Sequence, residues 1–307
     1  MSEIWIYSET PVVAAQLLPC ANNLAYDDTT ISVFLTTTTD AETLINSGAD
    51  SVRILIPTDG RPESCVPVLA EKIRAENPLA VLFGGTCRGK EVAARCAALL
   101  DAGLVSDALA IRKEAGCIET DRMVYGGLAV ATEILTAPAL IVVSPVLLAS
   151  PEPDDTRLCS VTREDVAGDG TITVKETIAI ARTGADLSKA DKIVCVGRGV
   201  AKREDLEMVY KLAELIEAEV SCTRAVNEYQ WFPPESYIGI SGFKVNPTLY
   251  LSFGVSGQVQ HLSGIRDSKI IVAVDSNEKA PVFTAADYGI VGDLYEVIPL
   301  LISALQD

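Results

Sequence analysis

Four segments in the second half of the chain carry residues whose types and spacing suit chemistry. Gly197-Arg198-Gly199 follows the apolar run Lys192 to Val196 and precedes a helical stretch. Glycines there let backbone amides approach a phosphate, and a helix N-terminus favours an anion. Arg198 adds a guanidinium able to grip a pyrophosphate through two parallel hydrogen bonds. The dinucleotide fingerprint G-x-G-x-x-G is incomplete, because Lys202 stands where its third glycine belongs. The same residues also read as a tight strand-to-helix turn with no ligand.

The next strand ends in Cys222-Thr223-Arg224. An arginine here can accept a 2′-phosphate where an acid would take a ribose hydroxyl. It can also lie against a flat electron-accepting ring, or pair with a surface carboxylate. In Phe253-Gly254-Val255-Ser256-Gly257-Gln258-Val259-Gln260-His261-Leu262-Ser263-Gly264, a buried strand runs into a glycine-rich turn and a short helix. Ser256, Gln258, Gln260 and His261 offer donors at the C-terminal end of a parallel strand, where doubly wound sheets bind ligands. His261 is the one histidine, so no site needing two can come from this chain alone. It reads equally as a hydrogen-bonded packing residue. In Ala280 to Leu294, Asp293 heads the last helix. It suits an N-cap, or an acceptor for a ribose hydroxyl or an adenine amino group.

Such residues need a scaffold, and the chain of 307 residues is long enough for two domains. Short strand-like runs alternate with helical ones in the first half: Ile4 to Tyr7, Thr30 to Leu35, Ser51 to Ile56 and Leu79 to Phe83, with helices over Ala41 to Asn46, Ser64 to Asn77 and Gly89 to Leu100. Gly48 suits a helix C-cap. Alternation of this kind predicts an α/β fold, a mostly parallel sheet flanked by helices. From Ser106 to Ser144, the runs Ala108 to Lys113, Met123 to Tyr125, Ala129 to Leu135 and Ala139 to Val143 predict antiparallel additions to that sheet. Ser150 to Asp155 is the strongest breaker. Thr171 to Ala181 predicts a long returning strand, and Gly184 to Ala190 a boundary between domains 1–185 and 190–307. The second domain repeats the pattern, with strands at Lys192 to Val196, Glu219 to Cys222, Leu249 to Phe253 and Lys269 to Val274. Helices over Glu204 to Ala218 and Asp293 to Leu305 make it another doubly wound sheet.

Composition removes several classes. The 42 acidic residues against 25 basic ones leave a net charge of −17, which opposes nucleic acid and anionic membranes as partners. Mean hydropathy is +0.27, yet the best candidate span, Ala137 to Ser150, is short and broken by Pro138 and Pro145. No membrane insertion is expected. Eight cysteines, none in a C-x-x-C pair, read as buried free thiols with no metal. With no basic segment at the start, the expectation is a cytoplasmic protein.

Together the segments resemble the FAD-binding domain of the electron transfer flavoprotein alpha subunit. The resemblance rests on Val196-Gly197-Arg198-Gly199, Cys222-Thr223-Arg224, Gly254 to Leu262, and Ala285-Ala286-Asp287-Tyr288-Gly289-Ile290-Val291-Gly292-Asp293. Arg88-Gly89-Lys90 and Met123 to Ala129 extend it to the first half. Ile4 to Pro11 and Tyr237 to Ser241 lean toward the branch serving nitrogen fixation and carnitine-type metabolism. The resemblance implies an electron carrier without substrate chemistry of its own. Residues 1–185 would pack on a beta subunit and 190–307 would hold FAD. Acyl-CoA-type or other dehydrogenases would supply electrons, and a quinone-linked oxidoreductase would take them. Arg198 would meet the FAD phosphates, and Thr223 and Arg224 would flank the isoalloxazine ring. Ile238, Gly239 and Ile240 would lead to Ser241, near flavin N5. Ser256, Gly257, Gln258, Val259, Gln260 and His261 would line pyrophosphate, ribityl chain and ring. Asp293 and Leu294 would hold the adenosine end. Two positions depart from the family: Asp275 replaces a common asparagine, and Ile240-Ser241 a common Gln-Thr. A cation or strong donor near flavin N1 and the C2 carbonyl would favour the reduced ring, and His261 and Arg224 suit that role. The alternatives are an NADP-dependent dehydrogenase and a nucleotide-binding subunit without redox activity.

Overall fold

In a computed structural model of the chain, the described residues are 2–306 apart from 27, 39–40, 115–116, 150–153, 155–156, 158, 169–171 and 179–185. The chain divides into two units, Met1–Thr177 and Ile178–Asp307. The breaker expected at Ser150 to Asp155 lies, Asp154 apart, outside the described residues, as do positions 184 and 185.

The first unit contains strands β1 (Glu3–Ser8), β2 (Thr30–Leu35), β3 (Ser51–Pro57), β4 (Ala80–Phe83), β5 (Leu104–Ala108), β6 (Ala110–Glu114), β7 (Cys117–Val124), β8 (Ala129–Leu135), β9 (Ala139–Val143) and β10 (Ser160–Val166). Its helices are α1 (Pro11–Leu24), α2 (Ala41–Asn46), α3 (Val66–Glu76) and α4 (Cys87–Leu100). Seven strands form a parallel sheet in the order β10-β3-β2-β1-β4-β9-β5. Strand β1 shows why Ile4 to Tyr7 are apolar without a break. Ile4 and Ile6 face one core with Leu17 and Leu18 of α1, while Trp5 and Tyr7 face another with Leu69 of α3 and Val92 of α4. A strand covered on both faces has no polar side. Gly48, at φ +113°, closes α2: its N–H reaches the Ile45 carbonyl at 3.0 Å and Ala49 N–H reaches Leu44 at 3.1 Å.

The second unit contains β11 (Lys192–Val196), α5 (Leu206–Leu215), β12 (Glu219–Thr223), α6 (Arg224–Asn227), β13 (Tyr237–Ile238), β14 (Leu249–Phe253), α7 (Val259–Leu262), β15 (Ile271–Asp275), β16 (Tyr288–Val291) and α8 (Leu294–Gln306). All six strands are parallel, in the order β13-β12-β11-β14-β15-β16. The winding reverses between β11 and β14, which makes that gap the topological switch point of a doubly wound sheet. Val194 and Val196 of β11 pack on α5 and α8, and Ile193 and Cys195 pack on the opposite core.

Three expectations need correction. Strands β5 and β9 join the parallel sheet, while β6, β7 and β8 form a separate three-stranded antiparallel sheet. Ala139–Val143 is buried at every position, the mark of a central parallel strand. A strand that returns to the first sheet is β10; of the strand expected over Thr171 to Ala181, positions 171 and 179–181 lie outside the described residues. Residues 172–178 belong to no strand, and Ile172, Val174 and Ile178 are exposed despite their two-residue period. Alternation makes a strand only where a neighbour offers hydrogen bonds. The cysteines are all free, but only Cys65, Cys96, Cys195 and Cys222 are buried, and Cys87 is exposed. Among the described residues no helix is long and apolar enough to cross a membrane, and no cluster of metal-ligating side chains occurs.

Candidate functional site

A cavity of about 700 Å³ lies at the switch point of the second unit, at the C-terminal ends of its strands. Its floor is made by two turns that cross backbone to backbone. Gly197 N–H donates to the Phe253 carbonyl at 2.9 Å, and Gly199 N–H to the Gly254 carbonyl at 3.1 Å. A Cβ on Gly197 would lie 2.1 Å from the Gly254 oxygen, and one on Gly199 2.6 Å from the Gly254 Cα. Gly254 itself sits at φ +62°. The spacing Gly-x-Gly is therefore required by the crossing, and Arg198 between the two glycines projects from an exposed turn on the cavity wall.

One end of the cavity carries positive charge. Thr223 closes β12, and Arg224 opens α6 with its side chain 71% exposed and its Nε 3.5 Å from Glu228 Oε1. Beyond β13, the chain turns through Gly239 at φ +151° to Ile240 and Ser241. Ile240 N–H donates to the Gln260 carbonyl at 2.8 Å, which ties this turn to α7. The Tyr237 hydroxyl donates to the Ser241 carbonyl.

Ser256, Gly257 and Gln258 make the turn after β14, with Gly257 at φ +77° and too close to the Val282 backbone for any side chain. Gln260 and His261 line the cavity from α7, whereas Val259 does not. His261 is 7% exposed. Its Nδ1 lies 3.1 Å from the Ile238 carbonyl and its Nε2 2.8 Å from the Tyr250 hydroxyl. A carbonyl can only accept, so Nδ1 carries the proton and Tyr250 donates to Nε2. Burial pushes the imidazole down to about 4. His261 is thus neutral with both ring nitrogens taken by the protein, and the packing reading describes it better than the cationic one.

The opposite end is acidic. Asp275 Oδ1 accepts from Asn277 N–H at 2.9 Å, so this carboxylate serves its own turn through one oxygen. Asp293 Oδ1 accepts from Tyr295 N–H at 2.9 Å and caps α8, with Leu294 beside it on the wall. Tyr295 went unread in the sequence. Its hydroxyl donates to Asp205 at 2.7 Å and accepts from Ala201 N–H at 2.8 Å, pinning the Arg198 turn to the start of α8. Its place two residues after a capping aspartate is the one local signal that could have marked it.

The wall therefore runs from a guanidinium at Arg224, past bare backbone and Arg198, to carboxylates at Asp275 and Asp293. That sequence suits a long ligand with a flat electron-accepting ring, a central pyrophosphate and a hydroxyl-bearing end. FAD has those parts in that order, so the residues present fit it.

Comparison with known proteins agrees. Residues 13–169 match the electron transfer flavoprotein domain, and residues 186–266 the electron transfer flavoprotein FAD-binding domain. The chain is 36% identical over 311 residues to the putative electron transfer flavoprotein subunit YdiR of Escherichia coli K12, covering 100% of this chain and 99% of that one. It is 36% identical to protein FixB of Escherichia coli O127:H6 and 34% identical to protein FixB of Salmonella typhimurium LT2, each over 310 residues, 99% of this chain and 98% of the other.

Proposed function

We infer function from family membership: the chain belongs to the electron transfer flavoprotein family, as an alpha-type subunit, and its cofactor is FAD. Its role is to hold FAD in a heterodimer with a beta subunit. The complex accepts electrons from acyl-CoA-type or other dehydrogenases and passes them to a quinone-linked oxidoreductase or a similar acceptor. The carrying observation is the switch-point cavity, lined by every residue expected at the site except Val259.

Bound FAD supplies the redox chemistry, and the protein supplies position and field. Arg198 and the Gly197–Gly199 backbone hold the pyrophosphate. Thr223 and Arg224 would flank the ring, and Ser241 would offer its hydroxyl to it. At the ring end the positive charge comes from Arg224 and not from His261, which is neutral. Ser256, Gly257, Gln258 and Gln260 line the middle. Asp275 and Asp293 each keep one carboxylate oxygen for sugar hydroxyls or the adenine amino group.

The test is co-expression and purification with an electron transfer flavoprotein beta subunit. A yellow complex holding one FAD per alpha chain is expected, and Arg224→Ala should lower the flavin midpoint potential while FAD stays bound. A colourless complex that takes up no FAD would sink the reading and revive the NADP or regulatory alternatives.

A further inference from the structure

Beneath the cavity a line of buried polar side chains crosses the strands of the second unit. Ser221 on β12 and Cys195 on β11 are fully buried, and the Cys195 thiol lies against both Ser221 and Tyr250. Tyr250 on β14 is fully buried, and its hydroxyl reaches His261 Nε2 at 2.8 Å. His261 Nδ1 then reaches the Ile238 carbonyl at 3.1 Å. Ile238 is the last residue of β13, and the Gly239–Ser241 turn springs from it. The line thus ends one residue from the segment that faces the ring.

We propose that Tyr250 is a positioning residue for the flavin: it fixes the tautomer of His261, and His261 fixes the Ile238–Ser241 turn. This rests on the FAD reading above. The chemistry is one of donors and acceptors. Neutral imidazole has one N–H and one lone pair. With Tyr250 donating, the lone pair is at Nε2 and the N–H must point at Ile238. Remove the hydroxyl and Nε2 becomes a buried acceptor with no donor, a costly state that the ring relieves by moving its proton or turning. Either response takes the donor away from the Ile238 carbonyl. The turn cannot absorb the change locally. Ile240 N–H is bound to the Gln260 carbonyl at 2.8 Å, and Gly239 is so close to α7 that a Cβ would sit 3.1 Å from the Gln260 oxygen. A shift at Ile238 therefore reaches Ser241. Tyr250 itself is absent from the cavity wall, so it acts only through the histidine.

One histidine in the chain makes the test clean. This chain alone is labelled with 15N-histidine and joined to an unlabelled partner, giving one pair of labelled ring nitrogens. The expected spectrum has Nδ1 protonated and Nε2 as an acceptor. Tyr250→Phe is expected to abolish that pattern and to shift the flavin absorbance bands and midpoint potential, with FAD stoichiometry unchanged. Cys195→Ala, one step further back, keeps the tyrosine–histidine bond and should leave the histidine spectrum native. A native protein with Nε2 protonated overturns the proposal. So does a Tyr250→Phe protein whose histidine spectrum changes while its flavin spectrum and potential do not. The native tautomer needs no variant, so a Tyr250→Phe chain that failed to fold would still leave the first criterion decisive. A yellow complex with the wrong tautomer defeats this proposal alone, and a colourless one with the right tautomer defeats only the FAD reading.

Discussion

At the end of β1 the chain reads Ser8-Glu9-Thr10, and at the end of β11 it reads Gly197-Arg198-Gly199. Both are points where strand order reverses, between β1 and β4 in the first unit and between β11 and β14 in the second. Such a reversal parts two strand ends and leaves the crevice that ligands use. In the second unit glycine backbones meet across it, and a cavity of about 700 Å³ lies above them. In the first unit side chains enter it. Val13 Cγ1 lies 2.8 Å and Ser8 Oγ 3.3 Å from where a Cβ of Gly84 would be. Helix α4 starts there with Thr86 as N-cap, accepting from Gly89 N–H at 2.8 Å, and the Thr86 hydroxyl donates to Glu9. A carboxylate from the chain itself thus sits where a helix start would favour a bound phosphate. One strand order makes a ligand site or a packed end according to whether the chain brings its own anion.

The largest test sets one substitution against its counterpart. Gly197→Ala places a Cβ 2.1 Å from a backbone oxygen that cannot turn aside. A loss of about 3 kcal/mol is expected in the second unit, together with loss of FAD. Gly84→Ala meets a valine methyl instead, and about 1 kcal/mol is expected in the first unit. The two tryptophans separate the readings in urea unfolding followed by fluorescence, since Trp5 is in the first core and Trp231 packs on the second. Equal losses in the two units would break the comparison.

Acid should distinguish the units next. His261 has an ordinary value of 6.5 when unfolded and about 4 when folded, because burial disfavours its charge. The folded form binds fewer protons between those values, so stability is complete above pH 6.5 and falls as pH drops toward 4. By pH 5 the second unit should have lost about 2 kcal/mol. Replacing His261 with Gln should flatten that slope, and the Trp5 transition should show none of it. A slope unchanged in the variant would mean that His261 titrates freely.

Much of this contrast is legible in the sequence, and its cause is not. Strands Thr30–Leu35, Lys192–Val196 and Leu249–Phe253 have the limits expected, because a strand buried on both faces is mostly apolar, with only small hydroxyls such as Ser32 and Ser252 inside it. Helix α1 is not legible, because an unbroken apolar run from Pro11 to Ala15 masks the helical period of Ala14, Leu17, Leu18 and Ala21 that the structure buries. The glycines at 197, 199 and 254 were recognisable as a site, but the reason for two of them is a crossing between turns more than fifty positions apart in number. The type of His261 was plain, and its role was not. That role depends on Tyr250, an inward-facing residue of a strand that any buried aromatic could occupy. The equivalence of Glu9 to a bound anion required knowing that β1 and β4 are neighbours.

Glu9 gives the next largest effect. Glu9→Ala leaves the Thr86 hydroxyl without its carboxylate, and a loss of about 1.5 kcal/mol is expected in the first unit only. Sulfate should restore part of it in the variant and do nothing for the native chain, read from the Trp5 transition. An unaltered midpoint would mean that Glu9 is not the internal anion.

The smallest effect comes from the cap that matches Thr86. Thr86 uses its hydroxyl twice, on Gly89 and on Glu9, whereas Asp293 gives Oδ1 to Tyr295 N–H and lines the cavity. Asp293→Ala should cost about 1 kcal/mol of stability in the second unit, as lost caps do. Asp293→Ser separates the two duties. A serine restores the cap and the stability, but offers no carboxylate to a sugar hydroxyl or an adenine amino group. Its expected phenotype is native unfolding with FAD held about tenfold more weakly, measured by flavin release on dilution. If serine restored both, Asp293 would be a cap and nothing more. The two helix starts would then differ only in what lies in front of them, with the whole contrast between the units resting on Glu9 and the crossing glycines.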